Sequence, residues 1–84
     1  MEHIEKTKNL YVLCSLDKAG HTCYLRSLHE PGKWEIITDI EMATKYTTVD
    51  AAKMSYSFYQ KEIGADALDF VIIPMKIEYK LIEV

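Results

Sequence analysis

An 84-residue chain has room for one domain. About half of its residues are apolar and a quarter charged, the balance of a globular protein rather than a disordered one. The net charge is −3 and no dense run of Lys or Arg occurs, which argues against a phosphate-binding face.

Folding at this size hides only about 60–65% of the unfolded surface, so the core is small. No apolar stretch approaches the length that spans a bilayer. Residues 1–10 carry neither the apolar segment nor the small-residue cleavage site of a secretory signal. The expectation is a cytoplasmic protein whose two cysteines, Cys14 and Cys23, are reduced thiols.

Residues 1–8 are polar and are expected to fray. From Leu10 to Leu16 the chain alternates, with Leu10, Val12, Cys14 and Leu16 on one face and Tyr11, Leu13 and Ser15 on the other. That period of two predicts a strand with a buried face. Asp17-Lys18-Ala19-Gly20 is a turn, with Gly20 supplying a positive φ, and His21 to Ser27 is the returning strand. Two registers are open. A four-residue loop sets Cys14 opposite Cys23, and a three-residue loop with a glycine bulge sets Cys14 opposite Tyr24. The first keeps Cys23 and Leu25 on the face of Val12 and Cys14, and is preferred for that reason.

Pro31-Gly32 marks the next turn, and Lys33 to Ile37 a third strand with Trp34 and Ile36 on one face and Ile37 on the other. A short helix from Asp39 to about Thr44 follows, with Thr38 and Glu41 at capping-box spacing. Ile40 and Ala43 are expected to point inward. Lys45-Tyr46-Thr47 is an extended break whose Tyr46 plugs the core. Thr48 is the N-cap candidate for a main helix from Val49 to Ile63. Val49, Ala52, Tyr56, Tyr59 and Ile63 form its apolar stripe, widened by Met54 and Phe58, and Gly64 ends it. Residues 65–68 are a connection. In the last segment, from Phe70 to Val84, Met75, Ile77, Tyr79 and Leu81 alternate with Lys76, Glu78 and Lys80, a strand with one solvated face. Pro74 cannot donate to a ladder and marks an edge, a bulge or a break.

The predicted architecture is an α+β domain over residues 1–84, with strands and helices in the order β-β-β-α-α-β. Its antiparallel sheet has about four strands, and one main helix packs on one face. The core is expected to draw on Val12, Cys14, Leu25, Ile36, Ala52, Tyr56, Tyr59, Ile63, Val71 and Ile77.

Candidate chemistry is sparse. Cys14, His21, Cys23 and His29, with His3 near the start, are metal-ligating residue types, but the paired C-x-x-C spacing of zinc sites is missing. Small apolar thiols in a sheet are the simpler reading. Neither cysteine lies at a helix N-terminus or beside clustered cations that would activate it. His21 as base to a cysteine nucleophile would need an oxyanion loop and an orienting partner, and the glycines are accounted for by turns and a helix stop. The carboxylate pairs Glu78 with Glu83 and Asp66 with Asp69 read as solvated surface. No catalytic residue, metal site or cofactor is therefore assigned, and an enzyme is not expected. Tyr11, Tyr24, Arg26 and Trp34 are aromatic and basic in the manner of sheet-based RNA readers, but packing under the helix or along the sheet's second face is the preferred reading.

The segment W-x-I-I-T-D-I-x-x-A-T-K-Y-x-T-x-x-A-A, from Trp34 to Ala52, resembles a pattern in small proteins encoded by phages of Gram-positive bacteria. Tyr46 stands where that pattern has Phe. The resemblance attaches no catalytic residue. It implies a small phage protein that binds and redirects a host or mobile-element protein. The function expected is thus a non-enzymatic protein-interaction module, with Tyr11, Leu13, Tyr24, Arg26 and Ile37 as its partner-binding surface. The alternative is a single-stranded nucleic-acid binder using a patch around Tyr24, Arg26 and Lys33. No membrane contact is expected, and the final strand is a candidate for pairing with its own copy in a homodimer.

Overall fold

The computed structural model describes residues 2–82 apart from His29 and Pro31, with side chains from Lys6 onward. The roles weighed above for His29, Pro31, Glu83 and the side chain of His3 lie outside the described residues. Strand β1 spans Glu2–Leu16, β2 Thr22–Ser27 and β3 Trp34–Ile37. A 3-10 turn follows at Ile40–Met42, then helix α1 at Val49–Ile63, a second 3-10 turn at Gly64–Asp66 and strand β4 at Val71–Ile82. The strands form one antiparallel four-stranded sheet in the order β3-β2-β1-β4, and α1 packs on it. This is the α+β arrangement expected from the alternation and the capped helix.

The hairpin register is the less favoured of the two read from the sequence. Cys14 lies opposite Tyr24 and Ser15 opposite Cys23. The cause is local. The Asp17 carboxylate accepts from the N–H groups of Ala19 and His21, both at 2.9 Å. Asp17 N–H donates to His21 O at 2.8 Å, and Gly20 takes φ +83°. These bonds close a loop of Lys18, Ala19 and Gly20, the glycine-bulge geometry.

One residue of slip exchanges the faces of a strand. Leu13, expected outward, is fully buried in a core cluster with Leu25, Tyr59 and Phe70. Val12 and Cys14 therefore turn to the opposite face, where Val12 is still buried and Cys14 is half-buried. Of the other expected core residues, Leu25, Ala52 and Tyr59 are buried. Tyr56 packs half-buried against the cluster. Ile36, Ile63 and Val71 are exposed and Ile77 is half-buried.

Aromatic rings make up much of the layer between α1 and the sheet. Tyr59 meets Phe70 edge-on at 5.4 Å and Trp34 edge-on at 5.7 Å, and stacks on Tyr56 at 6.3 Å. Their polar ends are satisfied. Tyr59 Oη accepts from Leu68 N–H at 2.8 Å and Tyr56 Oη from Phe70 N–H at 3.1 Å, so the helix holds the entry to β4 by two hydroxyls. A buried Tyr needs such partners.

The segment before α1 is more closely built in than an extended break suggests. Thr44 N–H donates to Leu25 O, and Thr44 Oγ1 accepts from Ser27 N–H at 2.7 Å. Tyr46 exchanges both backbone hydrogen bonds with Tyr11 at 2.8 Å. Residues 44–46 thus occupy the gap where β1 and β2 diverge. The short 3-10 turn is capped by Asp39, whose carboxylate accepts from Glu41 N–H. Asp39 directly precedes that turn, and Thr38 stands one residue too early to cap it. Thr48 caps α1 as expected, with Oγ1 accepting from Ala51 N–H at 3.0 Å.

Residues 2–8, expected to fray, belong to β1. They pair with β4 from Glu2 opposite Ile82 to Lys8 opposite Ile77, with a bulge between Ile4 and Lys6. The pairing makes a two-stranded ribbon beyond the helix-covered body. The molecule measures 52 × 28 × 20 Å with a radius of gyration of 15.2 Å, against about 12 Å for a compact domain of this length.

Candidate interaction surfaces

The five residues expected to form one binding surface divide between the two faces of the sheet. Leu13 is 0% exposed in the core and is unavailable to a partner. Tyr11 lies on the same helix-covered face, half-buried, with its backbone bound to Tyr46. Tyr24, Arg26 and Ile37 share the opposite face. Tyr24 stands directly across from Ile37, and Arg26 across from Glu35 with Nη1 and Oε1 3.7 Å apart. The hairpin slip is the reason for the division, because it turned Leu13 inward.

A continuous exposed apolar stripe lies elsewhere, on β4. Val71, Ile73, Met75, Ile77, Tyr79 and Leu81 project from one face of this strand, the face of Val12 and Cys14. Val71 is 60% exposed, Ile73 42%, Tyr79 48% and Leu81 55%. The reverse face of the ribbon carries Thr7, Asn9, Lys76, Glu78 and Lys80, all exposed. The alternation of this segment was readable as a half-buried strand. That its apolar half would stay uncovered was not, because no property of the strand says on which side α1 packs.

Helix α1 bears a second surface. Met54 and Phe58, expected to widen its core-facing stripe, are exposed. With Trp34, Tyr46, Ser55 and Glu62 they line an open groove of about 500 Å³ between the helix and the β2–β3 turn. Trp34 donates its indole N–H to the Glu62 carboxylate at the rim. Tyr46 Oη and Ser55 Oγ are 2.6 Å apart, and burial pushes the Tyr46 phenol up, moderated by that hydrogen bond. Lys45 Nζ donates to the carbonyls of Ile40, Glu41 and Ala43 and so closes the C-terminal end of the 3-10 turn.

The cysteines and His21 form no reactive set. Cys23 is buried, and burial foremost, with the nearby Asp17 charge and Cys14, raises its thiol above the ordinary 9.0. It stays a neutral thiol near pH 7. His21 Nδ1 lies 3.7 Å from Asp17 on an exposed loop. No group of three or more His, Cys, Asp or Glu among the described residues is arranged to hold a metal ion, and no helix among them is long and apolar enough to cross a membrane. The expected basic patch is also neutralised in place. Arg26 faces Glu35, and Lys33 Nζ lies 3.3 Å from Glu30.

No protein family, curated protein or solved structure matches the chain.

Proposed function

We propose that the chain is a non-enzymatic protein-interaction module, phage-encoded and cytoplasmic, that binds a host or mobile-element protein through the uncovered face of its sheet. The observation that carries this reading is the apolar stripe of β4 from Val71 to Leu81, continuous with the face that holds Tyr24 and Ile37. Exposed apolar surface of this extent is costly in water and marks a place where another surface belongs. Tyr24 and Tyr79 on that face are of the type that anchors interfaces. The phage context rests on the Trp34–Ala52 pattern alone.

Single-strand nucleic-acid binding is the second reading. Lys6 and Lys8 stand across from Tyr79 and Ile77 on the same face, a basic and aromatic juxtaposition of the sort that holds a nucleic-acid strand.

Capture from bacterial lysate with and without nuclease, read by mass spectrometry, separates the two. A specific protein retained after nuclease by the native chain, and lost with Val71→Lys and with Tyr24→Ala, is the expected result. Retention that vanishes with nuclease transfers the face to nucleic acid. Retention unchanged in both variants removes the sheet face from the reading.

A further inference from the structure

We propose that the outer edge of β4 pairs antiparallel with β4 of a second copy, about a twofold axis at Ile77, joining two sheets into one of eight strands. This inference does not rest on the identity of any other partner. It concerns the edge of β4, whereas the function proposed above concerns its face.

The edge is available. Strand β4 ends the sheet order and runs for 12 residues, and no other strand among the described residues pairs with its outer side. The phase of the ladder says which groups point outward. Tyr11 directs both backbone groups to Tyr46, and Asp17 N–H goes to His21 on the β2 side. From Lys6 to Leu16, odd-numbered backbone in β1 therefore faces away from β4, and even-numbered backbone faces toward it. Across the ladder, Val71, Ile73, Met75, Ile77 and Tyr79 bond to β1. Ile72, Lys76 and Glu78 present their backbone groups to the open edge, and Pro74 presents its carbonyl alone. Pro74 sits where no donor to β1 is needed, which is how it is tolerated within the strand.

The ribbon also lacks the support that an isolated hairpin requires. Two strands alone are marginal in water. The chain exposes 6245 Å², roughly 1,100 Å² more than a compact monomer of its 9.7 kDa mass would. A standard interface covers about 800 Å² on each partner, so the excess is of the size that one contact removes.

Self-complementarity selects a second copy. A twofold at Ile77 sets Lys76 opposite Glu78 of the other copy, and Glu78 opposite its Lys76. Neither residue forms an ion pair within the described part of its own chain, and their neighbours across β1 are the neutral Asn9 and Thr7. On the apolar face the same register sets Met75 against Tyr79, Ile73 against Leu81, and Ile77 against itself. A twofold at Glu78 would instead oppose Glu78 to itself and Lys76 to Lys80. Like charges directly opposite are destabilising and unlike charges stabilising. Lysines and a proline on an edge discourage indiscriminate strand addition, and only an edge with a carboxylate in the matching place accepts this one.

Sedimentation equilibrium of the full chain across a concentration series reads the mass. The native chain should approach twice the chain mass. Lys76→Glu and Glu78→Lys should each weaken association by roughly tenfold or more, since two pairs per dimer turn from attractive to repulsive. The double variant Lys76→Glu/Glu78→Lys should restore it. An equimolar mixture of the two single variants should form a heterodimer in which both contacts are again attractive. Circular dichroism confirms that these exposed substitutions leave the fold intact. A native chain that stays monomeric overturns the proposal, as does a dimer indifferent to both charge reversals.

Discussion

The two ends of β1 and β4 have the same alternating chemistry and opposite fates. In the body, Leu13 and Ile72 face α1 and are held against Leu25, Tyr59 and Phe70. In the ribbon, Tyr79 and Leu81 alternate with Glu78 and Lys80 just as regularly, yet stand exposed. The difference is the second layer. Burial needs something to be buried against, and α1 packs on the face of Leu13 and Ile72, opposite the one that carries Tyr79 and Leu81. The body is consequently where stability resides, and the ribbon is where surface remains to be used.

Three measurements would break or sharpen that contrast. The largest effect belongs to Leu13→Ala, which opens a cavity in the α1 layer and should cost about 2–5 kcal/mol in denaturant unfolding. Leu81→Ala, the same deletion in the ribbon, should change the stability of the monomer by less than about 0.5 kcal/mol. Equal losses at the two sites would show that the ribbon is as firmly packed as the body.

A smaller effect is expected from Tyr59→Phe. The ring stays, but Leu68 N–H loses its acceptor, at a cost of about 1–2 kcal/mol. Hydrogen exchange at Leu68 should accelerate in this variant while exchange within the ribbon does not. Exchange rising equally along the whole of β4 would mean that the two regions open as a unit.

The smallest effect is alkaline. Cys23 and Tyr46 both hold their protons more tightly in the folded chain than their ordinary values of 9.0 and 10.0, through burial above all. A raised folded value favours the native state below the unfolded value and loses that contribution as pH rises through it. The contribution of these two groups should therefore be level below pH 9 and fall above it, first through Cys23 and then through Tyr46. Cys23→Ala should flatten the first part of the decline. A decline of unchanged shape in that variant would place the titrating groups elsewhere, the ribbon included.

The elements were largely readable because their signals are local. Thr48, the Ala52–Tyr56–Tyr59 spacing and Gly64 mark α1 from Val49 to Ile63, and a cap and a helix stop act within one turn of the chain. The strand order β-β-β before the helix followed from turns at Asp17–Gly20 and Gly32. The candidate surface was read less well. Tyr24, Arg26 and Ile37 do adjoin one another, whereas Leu13 and Tyr11 belong to the covered side. The error came from a single residue of register, chosen by hydrophobic matching of Cys23 and Leu25 with Val12 and Cys14. The Asp17 carboxylate, bonding two amides at once, outweighed that matching.

What the sequence determined by itself is the set of elements: which residues alternate, which helix is capped and where it stops. The tertiary structure decided which side of each strand is inside. It set β1 in the centre of the sheet, drew residues 2–8 into a ribbon by pairing them with a segment some 70 positions away, and left the apolar side of β4 without a layer. The physical reason is that caps, turns and periodicity are interactions between near neighbours in the chain. A strand's choice of face depends on which distant elements reach it, and here α1 packs on the side of Leu13 and Ile72 and leaves the side of Val71 and Tyr79 without a helix.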